Sequence, residues 1–426
     1  MSIKTELVTS TGSRYRLIKE FESKNFIKQG GNLRLHQVKV PVRSDFHHGY
    51  YWNHNCTMSF VDTTTYIPYQ EEIEATNGPA TFILHNYLDY VCVHKYPDMK
   101  IPIDVMIFDS KPLCHDFRIP MLPTQPTNIV LGLLSSDIVV LDPLHGLDAY
   151  SHHNVMGKIC SSPITRVKWV NQSHTEFLVA HQSGDVYFYD HTWKEESLED
   201  MVEETGLDFP VRSQREDRMN PILHWKLSNE AIYDVSFSPD GKYLAAVGRD
   251  GNLVVVQYHL QRKIALMSSS FGALQTLAWS PDSKYVLTGG QDDMIVLWSL
   301  RHHSALVRCE GHRSWVTCVA VDDWFSSPTS LRFASVGEDG MLCFWDVALP
   351  EEHPEGDEAV PQPVCQTIKP SLHCLLFQSP LSQVVFHEKS ITISTRDGTA
   401  QSYSRPSQDC YPDDVLQKNI PSYSIA

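Results

Sequence analysis

Apolar residues along this chain fall in short blocks, many of them alternating with polar ones. Two stretches make the pattern plain: FSPDGKYLAAVGRDGNLVVVQY at 237–258 and WSPDSKYVLTGGQDDMIVLWSL at 279–300. In each, an apolar strand end runs into S-P-D-G/S-K, then a second strand, a polar turn and a third strand. Pro239 and Pro281 sit where a type I turn wants a fixed φ, and Gly241 or Ser283 closes the hairpin. Val, Ile, Leu, Tyr and Phe dominate the blocks, which is strand composition. No long segment carries a period of 3.6 residues.

The same rule recurs along most of the chain. A small polar or acidic residue precedes a strand that ends in an aromatic or apolar residue: Ser135 to Leu141, Ser183 to Tyr189, Asp250 to Val256, Asp292 to Trp298, Asp339 to Trp345 and Asp397 to Tyr403. These starts lie 48, 67, 42, 47 and 58 residues apart. The shortest interval fits the ~40–45 residues of a WD40 blade. Short strands and turns at this period predict a β-propeller, in which a closed ring buries both faces of each blade. Six blades are explicit. A seventh is expected from ATFILHNYLDYVCVHKY at 80–96, with NCTMSFVD at 55–62 as a further strand. The expected fold is all-β, a seven-bladed WD40 propeller over 49–410, with an N-terminal extension at 1–48 and a C-terminal tail at 411–426.

Composition agrees with a sizeable core, since 42% of the 426 residues are apolar and 20% charged. The net charge of −16 repels phosphate, so neither nucleic acid nor an anionic membrane is an expected partner. Ten cysteines are present, none in C-x-x-C spacing, and most lie in strand-like runs such as VTCVAV and MLCFWDV. They read as buried hydrophobes in a reducing compartment, cytoplasmic or also nuclear. The N-terminus carries no apolar signal segment, and no stretch approaches the ~18 apolar residues of a membrane span. Two segments interrupt the repeat. Residues 191–220 contain nine acidic and four basic residues, and 348–364 are rich in Pro and Glu. Both read as solvated loops.

His312, Ser335, Asp339 and Trp345 raise a choice of chemistry. They fit the structural tetrad of a WD repeat, in which a histidine bonds an aspartate in a tight turn and a strand serine carries the chain of bonds to an indole N–H. They also name the parts of a Ser-His-Asp hydrolase. A nucleophile needs an exposed, strained elbow, and FASVGED offers no G-x-S-x-G, so the tetrad is the better reading. Histidines cluster at His47-His48 with His54, at His152-His153 and at His302-His303. Adjacent histidines point to opposite faces of a strand, and none has a cysteine or carboxylate at a metal spacing, so no metal is expected. Phosphate-binding glycine motifs are absent, no cofactor is expected, and an enzyme is not supported. The residues that stand out instead are Phe271, in SSSFGALQTLAW, and Trp315, in GHRSWVTCVAV. Each lies just before an innermost strand whose inward pairs are Leu274 with Leu277 and Val316 with Val319. Two aromatics on adjacent blades of one rim would make an interface patch, or either could tuck between blades as packing.

LCHDF (113–117), VKWV (167–170) with FLVAHQSG (177–184), NPILHW (220–225), SFGALQTLAWSPDSKYVLTGGQDD, GHRSWV and RFASVGEDGMLCFWD (332–346) occur in this order. Together with IKTELVTSTGSRYRL (3–17) they resemble the WD repeat-containing protein 20 family, which includes the fungal carbon-catabolite-repression propellers. The resemblance implies a non-catalytic, seven-bladed scaffold that binds and activates a ubiquitin-specific protease, beside a second WD-repeat activator. It implies that Phe271 and Trp315 contact the protease. Val256-Gln257 replaces a Trp-Asp pair, Tyr403 replaces a Trp, and the connection DDWFSSPTSLR (322–332) lacks the long insertion of relatives. A ubiquitin-ligase substrate receptor is the alternative, but it favours Trp-Asp-x-Arg, and here Trp345-Asp346 is followed by Val347-Ala348.

Overall fold

The computed structural model describes residues 4–10, 12–22, 34–38, 57–62, 81–96, 102, 104–118, 128–142, 151–171, 173–196, 198, 201–214, 218–350 and 365–405. Its strands form seven blades, each a mostly antiparallel sheet, and a separate two-stranded ribbon. The innermost strands, in ring order, are Thr57–Asp62, Pro112–Phe117, Ile164–Trp169, Ile232–Phe237, Leu274–Trp279, Val316–Val321 and Leu381–His387. Each packs against the next, and Leu381–His387 meets Thr57–Asp62 to close the ring. The fold is the seven-bladed WD40 propeller that the repeat predicts.

The turns form as their residues dictate. Ser238 donates its hydroxyl to Asp240, the N–H of Lys242 donates to the same carboxylate, and Ser280 repeats the first bond with Asp282. Gly241 takes φ +72° and Ser283 φ +61°, so a serine occupies in one blade the left-handed position that glycine fills in the other. Gly340 takes the same conformation, and a Cβ there would stand 2.1 Å from the Phe377 carbonyl oxygen, so only glycine fits that turn.

Apolar side chains from facing blades interdigitate into the core. Tyr285, Leu287, Ile295 and Leu297 of the fifth blade form one buried cluster with Val316, Phe333, Cys343 and Trp345 of the sixth. Sheets packed on both faces bury nearly every strand residue, which is why the middle strands read as continuous apolar runs.

Two regions differ from expectation. Arg14–Glu22 and Glu6–Val8 lie within the span read as an extension, yet they are the fourth and fifth strands of the seventh blade, with Arg14–Glu22 paired to Thr399–Ser404. The boundary at residue 48 is therefore corrected: the chain's beginning completes the blade that its last strands start. Tyr15 and Leu7 supply the reason, both buried against Phe344 and its neighbours. The 191–220 insertion is not simply a solvated loop. Met201–Glu203 and Val211–Gln214 add a hairpin to the outer edge of the third blade, because Phe209 and Val211 bury against the fully buried Trp225. In the 348–364 insertion, residues 351–364 lie outside the described residues, as does the 411–426 tail.

Candidate functional site

In the sixth blade the four polar residues assemble into one chain of bonds. His312 Nδ1 lies 3.1 Å from both Asp339 carboxylate oxygens, and its Nε2 lies 2.8 Å from Ser335 Oγ. The Trp345 indole N–H donates to the same Oγ at 2.9 Å. Asp339 accepts from Nδ1–H, which leaves Nε2 to accept the serine proton. Ser335 thus donates to histidine and accepts from tryptophan. This is the connectivity of a hydrolase triad, but Ser335 and Trp345 are fully buried, so no substrate carbonyl can reach the hydroxyl. A buried network with every group partnered ties the rim to the blade core. The fifth blade keeps half of it, Trp298 donating to Thr288 Oγ1 at 2.8 Å.

Burial raises the Asp339 carboxyl, but the His312 bond and the N–H groups of Arg313 and Met341 outweigh it and hold the group below its ordinary 3.8. A depressed carboxylate stabilises the fold above 3.8, and that contribution is lost as pH falls through the lower folded value. The urea midpoint of the wild type should therefore fall with acidification below about pH 4 more steeply than that of Asp339→Asn, whose side chain does not titrate. Equal slopes in the two proteins would contradict the assignment.

His312 mounts the rim segment that ends in Trp315. Trp315 is 39% exposed, its carbonyl accepts the Glu338 N–H at 2.9 Å, and the next residue, Val316, is fully buried. Phe271 is 74% exposed, between Ser270 and Gly272. Its segment is fixed by Ala273, which is buried and donates its N–H to Gln291 Oε1 at 3.3 Å. Arg308 reaches Ser270 at 3.3 Å from the same blade. Innermost strands of a propeller all cross the disc in one direction, so the segments preceding them share one face. Phe271 and Trp315 are therefore exposed on the same face of adjacent blades, on backbone already tied down.

Sequence reading missed two further arrangements. Trp324, on the opposite face, is 46% exposed, with the Arg405 guanidinium 4.9 Å above its ring. Arg405 also pairs with the buried Asp322. The signal was present as DDW, but the cation comes from the seventh blade. The second lies in the central channel, a cavity of 370 Å³. There Lys168 pairs with Asp116 at 2.9 Å, and Asp116 also accepts the Trp169 N–H at 2.8 Å. LCHDF and VKWV are thus one interblade joint. Arg166 pairs with Asp234 at 2.8 Å, and Asp323 adds a further carboxylate to the channel's lining.

The histidine clusters have local explanations where they are described. His152 bonds Asp137 at 2.9 Å, and His302 bonds Ser299 at 3.0 Å. His47, His48 and His54 lie outside the described residues.

Seven blades, the tetrad and the repeat define a WD40-repeat propeller that exposes two aromatics on one face. A family model for the WD domain, G-beta repeat, matches residues 220–256, 266–299 and 304–346. WD repeat-containing protein 20 of Mus musculus is 32% identical over 306 residues, covering 61% of this chain and 54% of the relative. The UBP9-binding protein bun62 of Schizosaccharomyces pombe is 31% identical over 257 residues, covering 57% of this chain and 47% of the relative. The resemblance to the WD repeat-containing protein 20 family is borne out by these relatives, of whose own length the chain spans about half.

Proposed function

We propose that this propeller is a non-catalytic scaffold that binds a ubiquitin-specific protease through Phe271 and Trp315 and raises its activity, beside a second WD-repeat activator. The observation that carries the reading is the pair of exposed aromatics on one face of adjacent blades. Aromatic side chains on rigid backbone are the usual energetic centres of protein interfaces. The name of the fission yeast relative, a UBP9-binding protein, supports a protease partner. Activation demands that the propeller bind the protease's active conformation more tightly than its inactive one. The described cysteines are all free thiols, which suits the reducing cytoplasm or nucleus.

The test is reconstitution with purified proteins. Turnover of a ubiquitin–fluorophore substrate by the protease should rise saturably as the chain is added. A flat rate with binding intact would reduce the reading to a scaffold without activation. A flat rate without binding would overturn it. The ligase-receptor alternative finds less support, since Asp346 is engaged by Arg332 at 2.6 Å and no arginine follows the Trp-Asp pair.

A further inference from the structure

We propose that the first blade contains a buried metal-ion site formed by His85, Cys92 and His94, suited to a zinc-type ion. The three residues belong to the hairpin of Thr81–Tyr87 and Tyr90–Tyr96. His85 sits directly opposite Cys92 in the ladder, and His94 follows Cys92 by two residues. Alternation along a strand therefore places all three side chains on one face of the sheet. One ligand atom from each lies within 4.8 Å of the other two. The two imidazoles stack at 5.0 Å with an interplanar angle of 18°.

The chemistry of this donor set narrows the ion. Two nitrogens and a sulfur, with no carboxylate, suit zinc and not calcium or magnesium. All three residues are fully buried. Zinc bonds of about 2.0–2.3 Å set donors in a tetrahedron roughly 3.5 Å apart. The three donors must therefore draw together from within 4.8 Å, and one imidazole must turn out of the stack, because near-parallel rings do not aim their lone pairs at one point. On binding, the Cys92 thiol gives its proton to solvent and the thiolate sulfur donates its pair to the metal. Three protein donors leave the fourth position to a water molecule. The ion would cross-link two neighbouring strands of the blade that meets the ring's closing contact. The spacing H-x6-C-x-H matches no metal motif in the linear sequence, because the hairpin pairing creates the site.

The alternative is three core residues packed without an ion. The full chain, purified from zinc-supplemented cells and dialysed, should retain about one zinc ion per molecule. Cys92→Ser should lower that by at least about tenfold. Cobalt exchanged into the wild type should give a thiolate-to-cobalt charge-transfer band that Cys92→Ser lacks. If the variant does not fold, the wild-type zinc content and cobalt band decide alone. A wild type that retains no zinc and gives no cobalt band overturns the proposal. So does zinc retained equally by wild type, Cys92→Ser and His85→Asn.

Discussion

Alanine at both Phe271 and Trp315 should abolish protease binding at concentrations that saturate the wild type, with the propeller still folded. Each single change is expected to cost about 2–4 kcal/mol, which weakens Kd by roughly 30- to 900-fold. The size follows from what the rings offer. Both are large, both have substantial surface left to bury, and both sit on backbone fixed before any partner arrives. A pre-ordered aromatic loses little conformational freedom on binding, so more of its contact energy survives as affinity. If the two rings share one pocket on the protease, the double change will cost less than the sum of the singles. Phe271 is mostly exposed and should move stability by no more than ~0.5 kcal/mol, whereas Trp315, more than half covered, should cost about 1 kcal/mol. Titration calorimetry and urea denaturation of the same preparations check both halves. Wild-type affinity in the double variant would remove this face from the mechanism.

The second large effect concerns the buried tryptophan of the sixth blade. Trp345→Ala should destabilise the chain by about 3–5 kcal/mol. Trp345 is fully buried, stacks on Phe333 at a centroid distance of 6.0 Å, and belongs to the cluster that joins the fifth and sixth blades. Its removal opens a cavity at that junction and leaves Ser335 Oγ without its donor. Trp345→Phe keeps most of the packing and removes the N–H, and should cost about 1–3 kcal/mol. Denaturation midpoints of the full-length variants give the comparison. A change below about 1 kcal/mol in Trp345→Ala would mean that the tetrad does not hold the blade together. Two tryptophans thirty positions apart thus divide the work: substitution of one should be read in binding, and of the other in stability.

The repeat was legible because its signals are local. A Ser-Pro-Asp turn, a polar residue before each third strand and alternation at period two are all written within about ten residues of one another. The His312, Ser335, Asp339 and Trp345 spacing was legible for the same reason, since all four belong to one blade and its leading loop. Sequence placed Phe271 and Trp315 on a rim but left open whether they face outward. Exposure depends on what the adjacent loop covers, and only the folded ring decides that.

Other features were hidden for lack of any local mark. Arg14–Glu22 pairs with Thr399–Ser404, and no turn connects them to announce the contact. The acidic insertion carries enough charge to read as solvated, yet three well-placed apolar residues, Met201, Phe209 and Val211, suffice to seat part of it on the third blade. The sequence by itself determined the all-β class, the blade period, the tetrad and the candidate anchors. Tertiary structure alone decided the ring's closure, the facing of the anchors, and the meeting of His85 with Cys92 and His94. Turn chemistry and side-chain alternation are fixed by neighbours in the chain, whereas closure, exposure and cross-strand clustering are set by residues brought together only after folding.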